Sequence, residues 1–132
     1  MLSNRYIILL IILLLNINCA GGESNTSTLN KNPLMKITFD INKINNEGLC
    51  GPKDSLVSVD YEFCIPGNTS YVEEIIKIDP TVVVHKDSSG RIGCSQEEYL
   101  CIGNTLQKDF KDVLSKLASL TYIRRIDRCF WE

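Results

Sequence analysis

The sequence predicts a mainly β fold: a small antiparallel sandwich with one amphipathic helix placed before its last strand. Three observations lead there. Apolar and polar residues alternate twice, with Ile37, Phe39 and Ile41 set against Lys36, Thr38 and Asp40, then Val57, Val59, Tyr61 and Phe63 against Ser58, Asp60 and Glu62; period two marks a half-buried strand. Turn formers punctuate the chain at short intervals, at Gly48, Gly51-Pro52, Pro66-Gly67, Asp79-Pro80 and residues 87–90. One segment changes period: Leu106, Phe110, Val113, Leu114, Leu117 and Leu120 recur at helical spacing with charges between them.

Taken in order, residues 1–20 read as a signal peptide. Arg5 supplies the positive start, residues 7–15 form an apolar run too short to cross a bilayer, and small residues follow, placing cleavage near Cys19–Gly22. Residues 21–33 are rich in Asn, Ser and Thr without apolar periodicity, so they are expected to form a disordered tail ending at Pro33. The domain then covers residues 34–132. Residues 36–41 are expected as a strand, followed by a polar loop in which Gly48 supplies a positive φ. Further strands are expected at residues 57–63, at the β-branched stretch 72–78, at 81–85 after the Asp79-Pro80 break, and somewhere in the irregular stretch 91–102. Residues 105–119 are expected as the helix, with Asn104 as N-cap and Gln107 completing a capping box. Residues 122–129 close the fold as a strand.

A chain of 132 residues with a removable N-terminus is expected to hold one domain. Its 14 Lys and Arg face 16 Asp and Glu, and loss of Arg5 leaves a mature charge of about −3. The Arg124-Arg125 pair is too short to imply nucleic acid, and the negative charge weighs against anionic membranes, so neither is expected as a partner. No catalytic constellation stands out: His85 is the sole histidine, no nucleophile motif surrounds the serines, and no Cys/His spacing fits zinc. The expectation is a non-enzymatic chain without cofactor or metal. Six cysteines in a chain with an export signal point to an oxidising compartment and a secreted, extracellular location. Two sequons, Asn25-Thr26-Ser27 and Asn68-Thr69-Ser70, offer N-glycosylation sites. Asn68 is favoured because Pro66-Gly67 should expose it.

With Cys19 in the leader or tail, five cysteines remain in the domain: Cys50, Cys64, Cys94, Cys101 and Cys129. Five cannot all pair internally, so two bridges and one spare thiol are expected. The spare is either buried or joined to a second copy, and a disulfide-linked homodimer is the expectation.

Residues 34–48 and 81–90 each run from a strand-like stretch through polar residues to a glycine, as in a degenerate duplication of a Greek key. The pattern resembles the βγ-crystallin domain. Lys36-Ile37-Thr38-Phe39 leading to Gly48 matches the first key's opening, and Glu74-Ile75-Ile76-Lys77-Ile78-Asp79 its closing strand. Residues 82–85 would open the second key and Tyr122-Ile123-Arg124-Arg125-Ile126 would close it. The aromatic residue usual before the hairpin glycine is absent at Glu47 and Ser89. A further resemblance is to secreted, crystallin-fold egg glycoproteins of schistosomes. It rests on Cys64-Ile65-Pro66 before the Asn68 sequon, Ser89-Gly90-Arg91-Ile92, Cys101-Ile102, and Ile123-Arg124-Arg125-Ile126-Asp127-Arg128-Cys129. That resemblance implies an immunomodulator binding host immune proteins, immunoglobulin E or chemokines. The basic nuclear-localisation run of those glycoproteins has no counterpart here. The crystallin strand order would also bring Cys64 beside Cys129, so that bridge is favoured, with Cys94 in the second and Cys50 or Cys101 spare. Many crystallin domains bind calcium, but the matching loops, residues 69–74 with Glu73 and Glu74 and residues 117–122, lack the ligand pattern, and no tight calcium site is expected.

Overall fold

A computed structural model describes residues 31–131. Among the described residues the architecture is mainly β, two antiparallel sheets, and carries two α-helices. The strands are β1 (Leu49–Cys50), β2 (Val57–Ser58), β3 (Asp60–Pro66), β4 (Val83–His85), β5 (Glu98–Asn104) and β6 (Asp127–Arg128), and the helices are α1 (Thr69–Ile78) and α2 (Phe110–Ser119). β1 and β2 pair by themselves; the larger sheet has the order β4-β5-β3-β6. Its axis is the β3–β5 ladder, which runs in register from Asp60 opposite Asn104 to Pro66 opposite Glu98.

The alternation in β3 divides two apolar clusters. Tyr61, Phe63 and Ile65 join Ile75 of α1 and Phe110, Leu114, Leu117 and Ala118 of α2 in the main core. On the opposite face Cys64 packs with Cys94, Leu100, Ile92 and Ile102. Both faces of β3 are therefore covered, which is why even Glu62 is buried.

Residues 72–78 were expected as a strand and are helical. β-Branching pointed to a strand, but Tyr71, Val72, Ile75 and Ile78 also share one face of a helix, with Glu73, Glu74 and Lys77 away from it. The Asn68 side chain decides the matter by capping the helix, its Oδ1 accepting from the Ser70 amide at 2.9 Å. Residues 36–41 are likewise not a strand. They hold the end of one 3-10 turn (Pro33–Lys36), a single parallel bridge from Ile37 to Ile126, and the start of another turn (Ile41–Lys43). Asn32 and Asp40 cap these turns, accepting from Leu34 and Asn42 amides. Ile37 still reaches the core, so alternation foretold burial but not the hydrogen bonding. The expected helix 105–119 begins only at Phe110: Asp109 holds the N-cap position with φ 56°, and Asn104 turns its Oδ1 to the Leu106 amide instead. The expected final strand contracts to Asp127–Arg128. Gly48 does take a positive φ, 81°, and a Cβ there would collide with the Thr105 carbonyl oxygen.

Cys64 is bridged to Cys94, Cα–Cα 5.5 Å, and not to Cys129. Register explains the correction. The Cys129 amide donates to the Asp60 carbonyl, four residues along β3 from Cys64. At about 3.3 Å per residue that is roughly 13 Å, well beyond the reach of a disulfide. Only this bridge occurs among the described residues, where two were expected; Cys101 is buried as a thiol, and Cys50 and Cys129 are half-buried thiols. The expected signal peptide, Cys19 and Asn25 lie outside the described residues, as does the expected tail up to residue 30.

Candidate functional site

A polar constellation centred on buried Tyr61 and Asp79 lies where β3, β5 and the end of α1 meet. Helix α1 stops at Asp79, which is fully buried. Its Oδ1 accepts from the Thr81 amide at 3.0 Å, the Thr81 hydroxyl at 2.6 Å and Gln107 Nε2 at 3.0 Å. Its Oδ2 accepts from the Tyr61 hydroxyl. Gln107 Nε2 also lies 2.8 Å from the Asn104 carbonyl and 3.2 Å from the Tyr61 oxygen. The Asn104 amide donates to the Thr81 hydroxyl at 3.0 Å. Gly103 makes room for the arrangement. It stands opposite Tyr61 in the ladder, and a Cβ there would lie 2.5 Å from the tyrosine ring and 2.6 Å from Asp79 Oδ2.

Burial, then the Asp79 charge, pushes the Tyr61 phenol far above its ordinary value. Tyr61 is therefore a fixed donor and neither a nucleophile nor a base. With Tyr61 and Asp79 wholly out of solvent, no substrate atom reaches them, and among the described residues no buried side-chain nitrogen or oxygen lacks a hydrogen-bond partner. The cluster pins α1 and the 79–81 turn to the central ladder. Sequence reasoning missed it, reading Asp79-Pro80 as a break only. The available signal was an Asp two residues before a Thr, the spacing of an Asx turn.

Two of the thiols, Cys101 and Cys129, are likewise held protonated. Burial, helped by Asp79, pushes Cys101 up to about 12 from 9.0. Burial and then the charges of Glu62 and Asp60 raise Cys129, against an opposing pull from Arg91. These raised values set an alkaline limit on the fold. In the unfolded chain a thiol ionises near 9 and a tyrosine near 10, whereas the folded protein holds Cys101 and Tyr61 protonated. The stabilisation is complete below about pH 9 and is lost as pH rises toward 12. Urea midpoints measured from pH 7 to 11 are expected to stay level and then fall above about 9, less steeply in Cys101→Ala; a midpoint constant to pH 11 would contradict this.

The remaining expected site residues are dispersed. Asn68 is exposed at the start of α1. His85 ends the edge strand β4. Glu73 and Glu74 lie within α1 rather than in a loop, and Glu74 accepts from the Tyr122 hydroxyl at 2.6 Å. Cys64, Cys94 and Glu98 bring ligand atoms within 4.8 Å of one another, but both sulfurs are committed to the disulfide. Two clefts adjoin the Arg124-Arg125 pair, one of about 280 Å³ against Cys64 and Ile92 and one of about 250 Å³ against Lys31, Asn32, Pro33, Met35, Lys36 and Thr38. Among the described residues no helix is long and apolar enough to cross a membrane. No family model matches the chain, and neither a curated protein nor a solved structure is significantly similar to it.

Proposed function

We propose that this chain is a secreted, non-enzymatic glycoprotein that binds host immune proteins, an immunoglobulin such as immunoglobulin E or a chemokine. The observation that carries the glycoprotein reading is the placement of the Asn68 sequon. Asn68 is exposed, and its Oδ1 is engaged by the Ser70 amide and, at 3.0 Å, the Ser70 hydroxyl. Its Nδ2, the atom an N-glycan occupies, makes no hydrogen bond among the described residues, so a sugar there leaves the helix cap intact. The signal-like N-terminus and the disulfide support export. The class of partner rests on the resemblance to the schistosome egg glycoprotein called interleukin-4-inducing principle. The same resemblance carries the finer fold reading, a crystallin-like sandwich of two Greek keys, from which helical α1 departs at the first closing strand. A disulfide-linked homodimer would use a half-buried thiol, Cys50 or Cys129, and non-reducing electrophoresis tests it.

The function is tested by pull-down from plasma with protein secreted by a eukaryotic host. Enrichment of an immunoglobulin or chemokine is the expected result; no enrichment would favour a structural module without a specific ligand. The cap and the glycan separate by mutation. Ser70→Ala is expected to abolish the sugar, while its amide still donates to Asn68. Asn68→Ala removes both, and in unglycosylated protein should cost about 1 kcal/mol in thermal or urea unfolding. Equal stability of the two unglycosylated variants would contradict the capping role.

A further inference from the structure

We infer that the surface around Arg124 and Arg125 docks an acidic segment of a partner protein bearing an aliphatic side chain. This deepens the proposed function and rests on it for the nature of the partner. Arg124 and Arg125 are both exposed and stand between the two clefts, lining each. Lys31 and Lys36 add two cations to the rim of the second cleft. The segment is held firmly from below. Lys36 Nζ donates to the Leu120 carbonyl at 2.8 Å, the Ile126 amide donates to the Lys36 carbonyl at 2.8 Å, and Arg125 Nη2 lies 3.3 Å from the Ile92 carbonyl. The cations thus sit on a preorganised backbone, which lowers the ordering cost of binding.

Charge complementarity sets the partner. The nearby carboxylates are Glu98, 2.8 Å from Arg124, and Asp127, 2.8 Å from Arg125. Lys31 and Lys36 make no ion pair among the described residues, so the site keeps net positive charge on a chain whose formal charge is −2. The Arg124 side chain is 72% accessible while Glu98 is only 17% so. Glu98 also accepts from the Ser95 amide at 2.9 Å, so the exposed guanidinium keeps donors free for an incoming carboxylate without giving up Glu98. Met35, 69% exposed, and Leu34, 43% exposed, lie in the same turn as Lys36. Arginine and methionine are enriched where proteins meet, and forked guanidinium groups suit carboxylates. The exposed aliphatic side chains distinguish a peptide partner from a sulfated polysaccharide, which has nothing apolar to offer them.

The test uses the full secreted chain and a fluorescein-labelled 12-residue peptide carrying six glutamates around a central pair of leucines. Anisotropy is expected to show saturable binding, weakened tenfold or more when the glutamates become glutamines, and severalfold when the leucines become serines. The variant K31E/R124E changes two exposed side chains outside the core and is expected to lose at least tenfold in affinity with an unchanged circular dichroism spectrum, its thermal melt falling slightly as Glu98 loses its ion pair. Unaltered affinity in that variant would overturn the inference, as would absence of binding by the wild type. Preference for a heparin hexasaccharide with no effect of the leucines would assign the surface to a polysaccharide and overturn it too. In plasma pull-downs, undiminished immune-protein capture by K31E/R124E would remove this surface while leaving the proposed function standing. Peptide binding without any plasma capture would do the reverse.

Discussion

Asp79→Ala is expected to lower unfolding stability by about 3 kcal/mol, a large share of the roughly 5–15 kcal/mol typical of a domain. The loss is mainly that of an acceptor inside the core. Tyr61 donates its hydroxyl to Asp79 Oδ2 from a fully buried position, and neither water nor another carboxylate replaces that oxygen. The Thr81 amide, which donates to Oδ1 at 3.0 Å, loses its partner as well. Gln107 keeps the Asn104 carbonyl at 2.8 Å, so the cluster does not collapse outright. Asp79→Asn should be milder, about 2 kcal/mol, because one oxygen remains for Thr81 and Gln107 and the new amide donates to the Tyr61 oxygen, although the Tyr61 proton still loses its acceptor. Urea denaturation of both variants measures this. An alanine variant within about 0.5 kcal/mol of wild type, as at an ordinary surface position, would show that the cluster is dispensable.

Removal of the Cys64–Cys94 bridge, as C64A/C94A, is expected to cost roughly 3–4 kcal/mol. The bond spans a sequence separation of 30 residues, and an open chain recovers the entropy of that loop. Its loss also loosens the lid over the second apolar cluster, where Leu100, Ile92 and Ile102 pack on the two cysteines. Hydrogen exchange should therefore rise first in residues 88–95 and in β5. Because α1 and α2 lie on the other cluster, their protection should fall only with global stability. Identical urea midpoints with and without the bridge would refute this.

What could be read in the sequence depended on whether one residue or many decided the local structure. The alternation was legible around β3 because Val59, Tyr61 and Phe63 all report the same buried face. The expected strand 57–63 nevertheless splits, since Val57 is exposed in β2 of the smaller sheet and β3 runs on to Pro66. Helix α2 was legible in part, since Phe110, Leu114 and Leu117 repeat at helical spacing; its start was displaced because Gln107 serves Asp79 rather than a capping box. Helix α1 was concealed by Ile75, Ile76 and Ile78, whose branching favours strands, while a single cap at Asn68 and the burial of Ile75 favour the helix. The polar cluster was illegible because Tyr61, Asp79 and Gln107 meet only in three dimensions. The same holds for the disulfide, whose partners are fixed by ladder register: β3 places Cys129 beside Asp60 and leaves Cys64 to Cys94.

The proposed export and glycosylation, together with the Cys64–Cys94 bridge, are tested most directly by peptide mass spectrometry of unreduced protein secreted from eukaryotic cells. The predicted result has three parts: no peptide containing Met1 to Leu15, an N-glycan on the Asn68 peptide, and Cys64 linked to Cys94. A retained leader, an unmodified Asn68 throughout, or Cys64 joined to Cys129 would contradict it.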